Sequence, residues 1–89
     1  MNDVYQTKDK QIAPFLLTQS TVSFLGTKEE GYNLYFQFSP TDKCQELVNA
    51  FMSRTAPLVQ PKNLLEAIET YRDRVFEMKE KIRNGGKKL

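Results

Sequence analysis

Tyr32, Leu34, Phe36 and Phe38 alternate with Asn33, Tyr35 and Gln37. That period of two in β-favouring residues specifies a strand with one heavily aromatic face. Upstream, Val22, Phe24 and Gly26 alternate with Ser23, Leu25 and Thr27, and the polar run Lys28-Glu29-Glu30-Gly31 separates the two segments. The run ends in the residue type that hairpin loops need for a positive φ, so the spacing predicts a two-stranded antiparallel β-hairpin. An isolated hairpin is marginal in water. The rest of the chain must therefore cover the aromatic face.

Three segments have the pattern to do so. Within residues 7–19, Ile12, Phe15 and Leu16 form a short helical face, with Thr7 or Asp9 as candidate N-caps. Pro14 leaves the start open: it kinks a helix that begins at Thr7 or Asp9, or it opens a later one capped by Ala13. Ser39-Pro40-Thr41-Asp42 reads as a second helix start, followed by an apolar stripe of Cys44, Leu47, Val48, Phe51 and Met52. After the connector 55–60, Pro61 suits the first turn of a long helix that the glycines of Asn84-Gly85-Gly86 are expected to stop. Such a helix spans about 24 residues or ~36 Å, longer than a small domain needs.

A chain of 89 residues supports one core. The expected architecture is α+β, in the order short helix, two-stranded antiparallel β-hairpin, amphipathic helix, long C-terminal helix. Residues 1–6 are expected as an N-terminal tail, 7–84 as a single α+β domain, and 85–89 as a basic C-terminal tail. With one cysteine and no histidine, an internal disulfide, Cys–His zinc patterns and His-based catalysis are excluded. Cys44 lies inside an apolar stripe, which is the setting of a small buried hydrophobe. Scattered carboxylates such as Asp9 and Asp42 fit helix caps better than catalysis. No enzyme activity, no cofactor, no metal and no small-molecule substrate is expected. Neither a membrane-length apolar run nor a signal-peptide core is visible, so a cytoplasmic, non-membrane protein is expected.

Leu64, Ile68, Tyr71, Val75, Met78 and Ile82 follow a heptad spacing along the last helix. On one reading its first half packs on the hairpin and its second half continues the same core. On the other, the distal residues Tyr71, Val75, Met78 and Ile82 outrun the hairpin and form a self-association surface, giving a homodimer. Arg72, Arg74, Lys79 and Lys81 flank the seam, so two bare helices would set like charges together. In the dimer the basic flanks are expected to meet Glu29-Glu30 of the partner's hairpin turn.

The formal charge of +2 is unevenly spread. Residues 1–78 carry 8 basic and 10 acidic side chains, whereas residues 79–89 carry 5 basic and 1 acidic. Lys79, Lys81, Arg83, Lys87 and Lys88 are therefore candidate nucleic-acid contacts, with Tyr32 and Tyr35 as candidate stacking surfaces. A basic last turn also complements a helix dipole.

The order of Thr7-Lys8-Asp9, Phe15-Leu16, Tyr35-Phe36-Gln37-Phe38, Leu47-Val48, Phe51, Val59 and Pro61 resembles a family of small uncharacterised bacterial and phage proteins, a domain of unknown function. The resemblance spans about residues 5–78 and rests mostly on core apolar positions. Pro14 and the basic tail depart from the family's pattern. It implies a phage or mobile-element setting and carries no activity or site residues. The functional expectation is a non-catalytic accessory interaction module, self-associating through the long helix or a hairpin edge. The alternative is a small nucleic-acid-associated protein using its basic C-terminal segment.

Overall fold

The computed structural model describes residues 3–87, with side chains through Arg83. Along the chain come β1 (Tyr5–Thr7), α1 (Ile12–Leu17), β2 (Ser23–Glu30), β3 (Asn33–Ser39), α2 (Thr41–Met52) and α3 (Pro61–Lys87). The chain is α+β, but its sheet has three antiparallel strands in the order β1-β3-β2. Two residues of the third strand, Tyr5 and Gln6, come from the expected N-terminal tail, and the third, Thr7, from the candidate helix caps. Tyr5, Gln6 and Thr7 pair with Phe38, Gln37 and Phe36, which satisfies the edge of β3 that a hairpin alone leaves open.

The hairpin forms as the alternation requires. Leu34, Phe36 and Phe38 are buried and the residues between them are not. The turn is tighter than expected: Glu30 pairs with Asn33, leaving Gly31-Tyr32 as a two-residue loop. Gly31 adopts a φ of 62° and thereby supplies the turn's positive φ. Strand β2 also departs from simple alternation. Phe24 pairs with Phe38 while Gly26 pairs with Gln37, so Leu25 is the extra residue of a β-bulge. Gly26 takes a φ of 117°, open to glycine and strained for others. Beyond the bulge the faces exchange, placing Thr27 opposite Phe36 and Glu29 opposite Leu34. Leu25, left over, is half exposed.

The helices cover the aromatic face of the sheet. Helix α1 begins at Ile12, later than Asp9 and earlier than Pro14. Asp9 still acts as its cap, because Oδ1 accepts hydrogen bonds from the backbone N–H groups of Gln11 (2.7 Å) and Ile12 (2.9 Å). Pro14 falls in the first turn, where its missing donor omits a single bond between those that Ala13 donates to the Asp9 carbonyl (3.1 Å) and Phe15 to the Gln11 carbonyl (3.2 Å). Helix α2 begins at Thr41, one residue later than expected, since Ser39 belongs to β3 and Pro40 occupies the cap position without a side-chain cap. A distant residue replaces it: the Thr41 N–H donates to Asp3 Oδ1 at 2.8 Å. Cys44 is fully buried, with Leu47, Val48 and Phe51 packed beside it, whereas Met52 faces outward.

Helix α3 continues through Asn84-Gly85-Gly86 to Lys87. Glycine permits a left-handed stop without imposing one. Its 27 residues give a rod of about 40 Å, which the molecule accommodates by dividing its length. The first half packs against α1. From Tyr71 onward it lies along the inner face of the sheet, with the Tyr71 ring stacked on Phe36 at 5.0 Å between centroids.

Two predictions follow from this packing. Phe36→Ala is expected to destabilise by roughly 3–5 kcal/mol, and Gln37→Ala by no more than about 0.5 kcal/mol, in urea titrations followed by circular dichroism. Equal losses would mean that the register is misassigned. For Asp3, the hydrogen bonds from Thr41, backbone first, hold the carboxyl below its ordinary value of 3.8. A depressed folded-state value means the contribution is complete above pH 3.8 and disappears as pH falls through the lowered value. An NMR titration should give Asp3 a midpoint below 3.8, and Asp3→Asn should remove that part of the acid dependence.

Candidate functional site

No polar or charged residue is buried among the described ones, and no buried side-chain nitrogen or oxygen lacks a hydrogen-bond partner. The only cysteine, Cys44, lies at the centre of this apolar interior. Burial pushes its thiol above the ordinary value, and the carboxylates of Asp3 and Asp42 push it further. Both effects keep it in the unreactive thiol form. The Tyr5 and Tyr71 phenols are also raised, chiefly by burial, with a smaller contribution from the Asp9 carboxylate. Tyr71 is tied down besides, its hydroxyl donating to the Lys8 carbonyl at 2.8 Å. Among the described residues no group of three or more His, Cys, Asp or Glu side chains is arranged to hold a metal ion.

The residues marked for self-association lie against their own sheet. Met78 is a core residue at 4% exposure, and Tyr71, Val75 and Ile82 pack half-buried around it. Met78 shares a cleft with Thr27 and Leu34, which puts the distal seam over β2 and β3. Spacing alone suggested that these residues outrun the hairpin, because it set the start of the helix over the strands. Instead α1 receives the first turns, so the sheet still lies beneath Met78. The seam's cover comes from within the chain.

The basic residues of α3 are similarly divided. Lys81 Nζ lies 3.2 Å from Glu29 Oε2 of its own chain, and Arg83 pairs with Glu80. Arg74, a seam flank, sits over the Phe24 ring at 5.1 Å from its centroid, a cation–π contact. Lys79 is exposed beside Phe76 in a shallow depression. The side chain of Lys87 and all of Lys88 lie outside the described residues. Of the candidate stacking rings, Tyr32 is exposed at the hairpin turn and Tyr35 is half-buried on the outer face of β3.

The feature that periodicity did not anticipate is a groove of about 710 Å³ between α1, the end of α2, the 53–60 connector and the first half of α3. Phe15, Phe51, Leu64 and Ile68 are among the apolar residues lining it. The Phe15 and Phe51 rings meet at 5.0 Å, which joins α1 to α2 at this wall. At its mouth Leu58 is fully exposed and Met52 is 69% exposed. Lys10 and Arg54 supply its charged lining, and no carboxylate contributes.

The groove's edge is set by the way α2 ends. The Arg54 N–H donates to the Phe51 carbonyl at 3.1 Å and the Thr55 N–H to the Ala50 carbonyl at 2.8 Å, the paired bonds of a Schellman stop. Arg54 occupies the left-handed position with φ 62°, where glycine is the usual residue. The chain then turns away from the helix, and Pro57-Leu58 follows as an exposed strip of connector.

No helix of the described residues is long and apolar enough to cross a membrane. No family model, curated protein or solved structure matches the chain. The site therefore has to be interpreted from its own chemistry.

A substitution separates a seam that stabilises the subunit from one held for a partner. Met78→Glu puts a charge into the core and is expected to cost more than about 3 kcal/mol, or to unfold the protein. Lys79→Glu, on the exposed neighbour, should stay within about 1 kcal/mol. Urea denaturation at low protein concentration measures both. A folded Met78→Glu monomer of near-normal stability would contradict this packing.

Proposed function

We propose that this chain is a non-catalytic interaction module that docks another polypeptide in the groove between α1, the 53–60 connector and α3. The observation that carries the reading is Leu58, a large apolar side chain held wholly in solvent at the mouth of an apolar groove. A single exposed leucine needs no explanation. One beside Met52, above a groove walled by Phe15, Phe51 and Ile68, makes a contiguous apolar surface of the kind that marks binding sites. The resemblance over about residues 5–78 adds a phage or mobile-element setting to this reading.

Self-association through the α3 seam and nucleic-acid binding by its basic end have less support. The seam is engaged with its own sheet. Lys81 and Arg83 face carboxylates of the same chain. The exposed edge of β2 carries a bulge and the consecutive charges of Lys28, Glu29 and Glu30, features that discourage strand addition.

Leu58→Asp tests the reading, because this exposed position can accept a charge without disturbing the core. Against a displayed library of random peptides long enough for roughly three helical turns, the wild-type protein should enrich binders. Leu58→Asp should lose them while keeping its thermal midpoint. Absence of enrichment, or enrichment indifferent to Leu58→Asp, would remove the groove from consideration.

A further inference from the structure

Resting on that reading of the groove, we infer that its occupant is an acidic amphipathic segment of another protein, with apolar anchors buried on Phe51 and Ile68 and carboxylates directed at Arg54 and Lys10. The charged lining of the groove is purely basic. Neither Lys10 nor Arg54 forms a salt bridge among the described residues. Asp9, the carboxylate next to Lys10 in the chain, is turned to cap α1. The two cations are thus available to an incoming anion. Arginine in particular offers a planar fork that suits a carboxylate.

Arg54 gives independent support. It holds the left-handed C-terminal position of α2, where glycine would fit with less strain. Strained residues concentrate where function requires the side chain. An arginine at this position lies at the edge of an apolar groove, without a salt-bridge partner among the described residues. A helix laid in the groove would bury its apolar face and set flanking carboxylates near both cations.

A second copy of this chain fits less well. Two grooves brought face to face would juxtapose their Lys10 and Arg54 side chains. The outer face of α3 presents Leu65 and Phe76, and its exposed charges are mixed, Glu69, Asp73 and Glu77 standing among Arg72 and Lys79, so a second copy would bring cations as well as carboxylates to Lys10 and Arg54. A partner supplying carboxylates on both sides of its apolar stripe answers both cations.

The same displayed library distinguishes the possibilities. Wild-type protein should enrich peptides that combine Leu or Phe at helical spacing with Glu or Asp, and a synthetic copy of such a peptide should bind roughly tenfold more weakly to Arg54→Gly. That variant suits the left-handed backbone, so its thermal midpoint should match the wild type within a few degrees. Lys10→Glu combined with Arg54→Glu should instead enrich peptides carrying Lys or Arg, a reversal that misfolding cannot produce. Enrichment of neutral or basic peptides by the wild type, or an unchanged preference in the double variant, would overturn the acidic partner and leave the groove as a docking site. Complete absence of enrichment would overturn both. A concentration-dependent mass in sedimentation, abolished by Leu58→Asp, would give the groove to a second copy and also overturn the inference.

Discussion

Phe36 and Phe38 cannot remain wet, and most of the fold follows from keeping them dry. Both belong to the central strand, so β1 and β2 satisfy its backbone on either side while the helices cover its aromatic face. Phe24 adds a ring from β2, 5.9 Å from Phe36 and 5.4 Å from Phe38. Tyr71 adds one from α3, stacked on Phe36. Burying each such ring contributes roughly 2–3 kcal/mol, against a net stability of about 5–15 kcal/mol for a domain. Surface ion pairs such as Lys81–Glu29 stand well below that scale, both partners being substantially exposed. Apolar cover determines the arrangement, and the charges decorate it.

The same requirement explains the division of α3. A sheet of strands up to 8 residues long runs about 27 Å, too short to cover a helix of about 40 Å. Helix α1, only 6 residues long, extends the covered length by receiving the first half of α3. Its brevity has a consequence. Between the end of α2 and the first turns of α3 there is only the 53–60 connector, which leaves Leu64 and Ile68 lining an open groove. The groove and the sheet's cover are therefore one design, in which the helix is longer than the surfaces that receive it.

The aromatic alternation made β3 legible, and its burial follows the alternation residue by residue. The apolar spacing of α2 and α3 was legible for the same reason, since burial follows the period of the backbone that carries it. Three features were hidden. Strand β1 has 3 residues, too few to show a period, and exists because β3 has an edge to satisfy. The bulge at Leu25 had a visible signal in Gly26, but reading the alternation straight through put Thr27 on the wrong face. The groove had no signal at all. It is lined by residues from four segments, and Arg54, at its edge, occupies a backbone conformation that sequence assigns to glycine. The seam illustrates the opposite limit: its spacing was right, but spacing identifies a buried face without identifying what buries it.

Arg54 is where the local and global accounts of the chain disagree. A left-handed conformation costs a residue with a Cβ roughly 1–2 kcal/mol. A cation at the end of a helix recovers typically 0.3–1 kcal/mol from the dipole. Glycine avoids the first term and gives up only the second. The dipole offsets part of the strain and not all of it, so glycine at this position would be at least as stable as arginine. A side chain that stability does not require, without a salt-bridge partner among the described residues and set beside an apolar groove, is more simply explained by what it meets outside the fold than by anything within it.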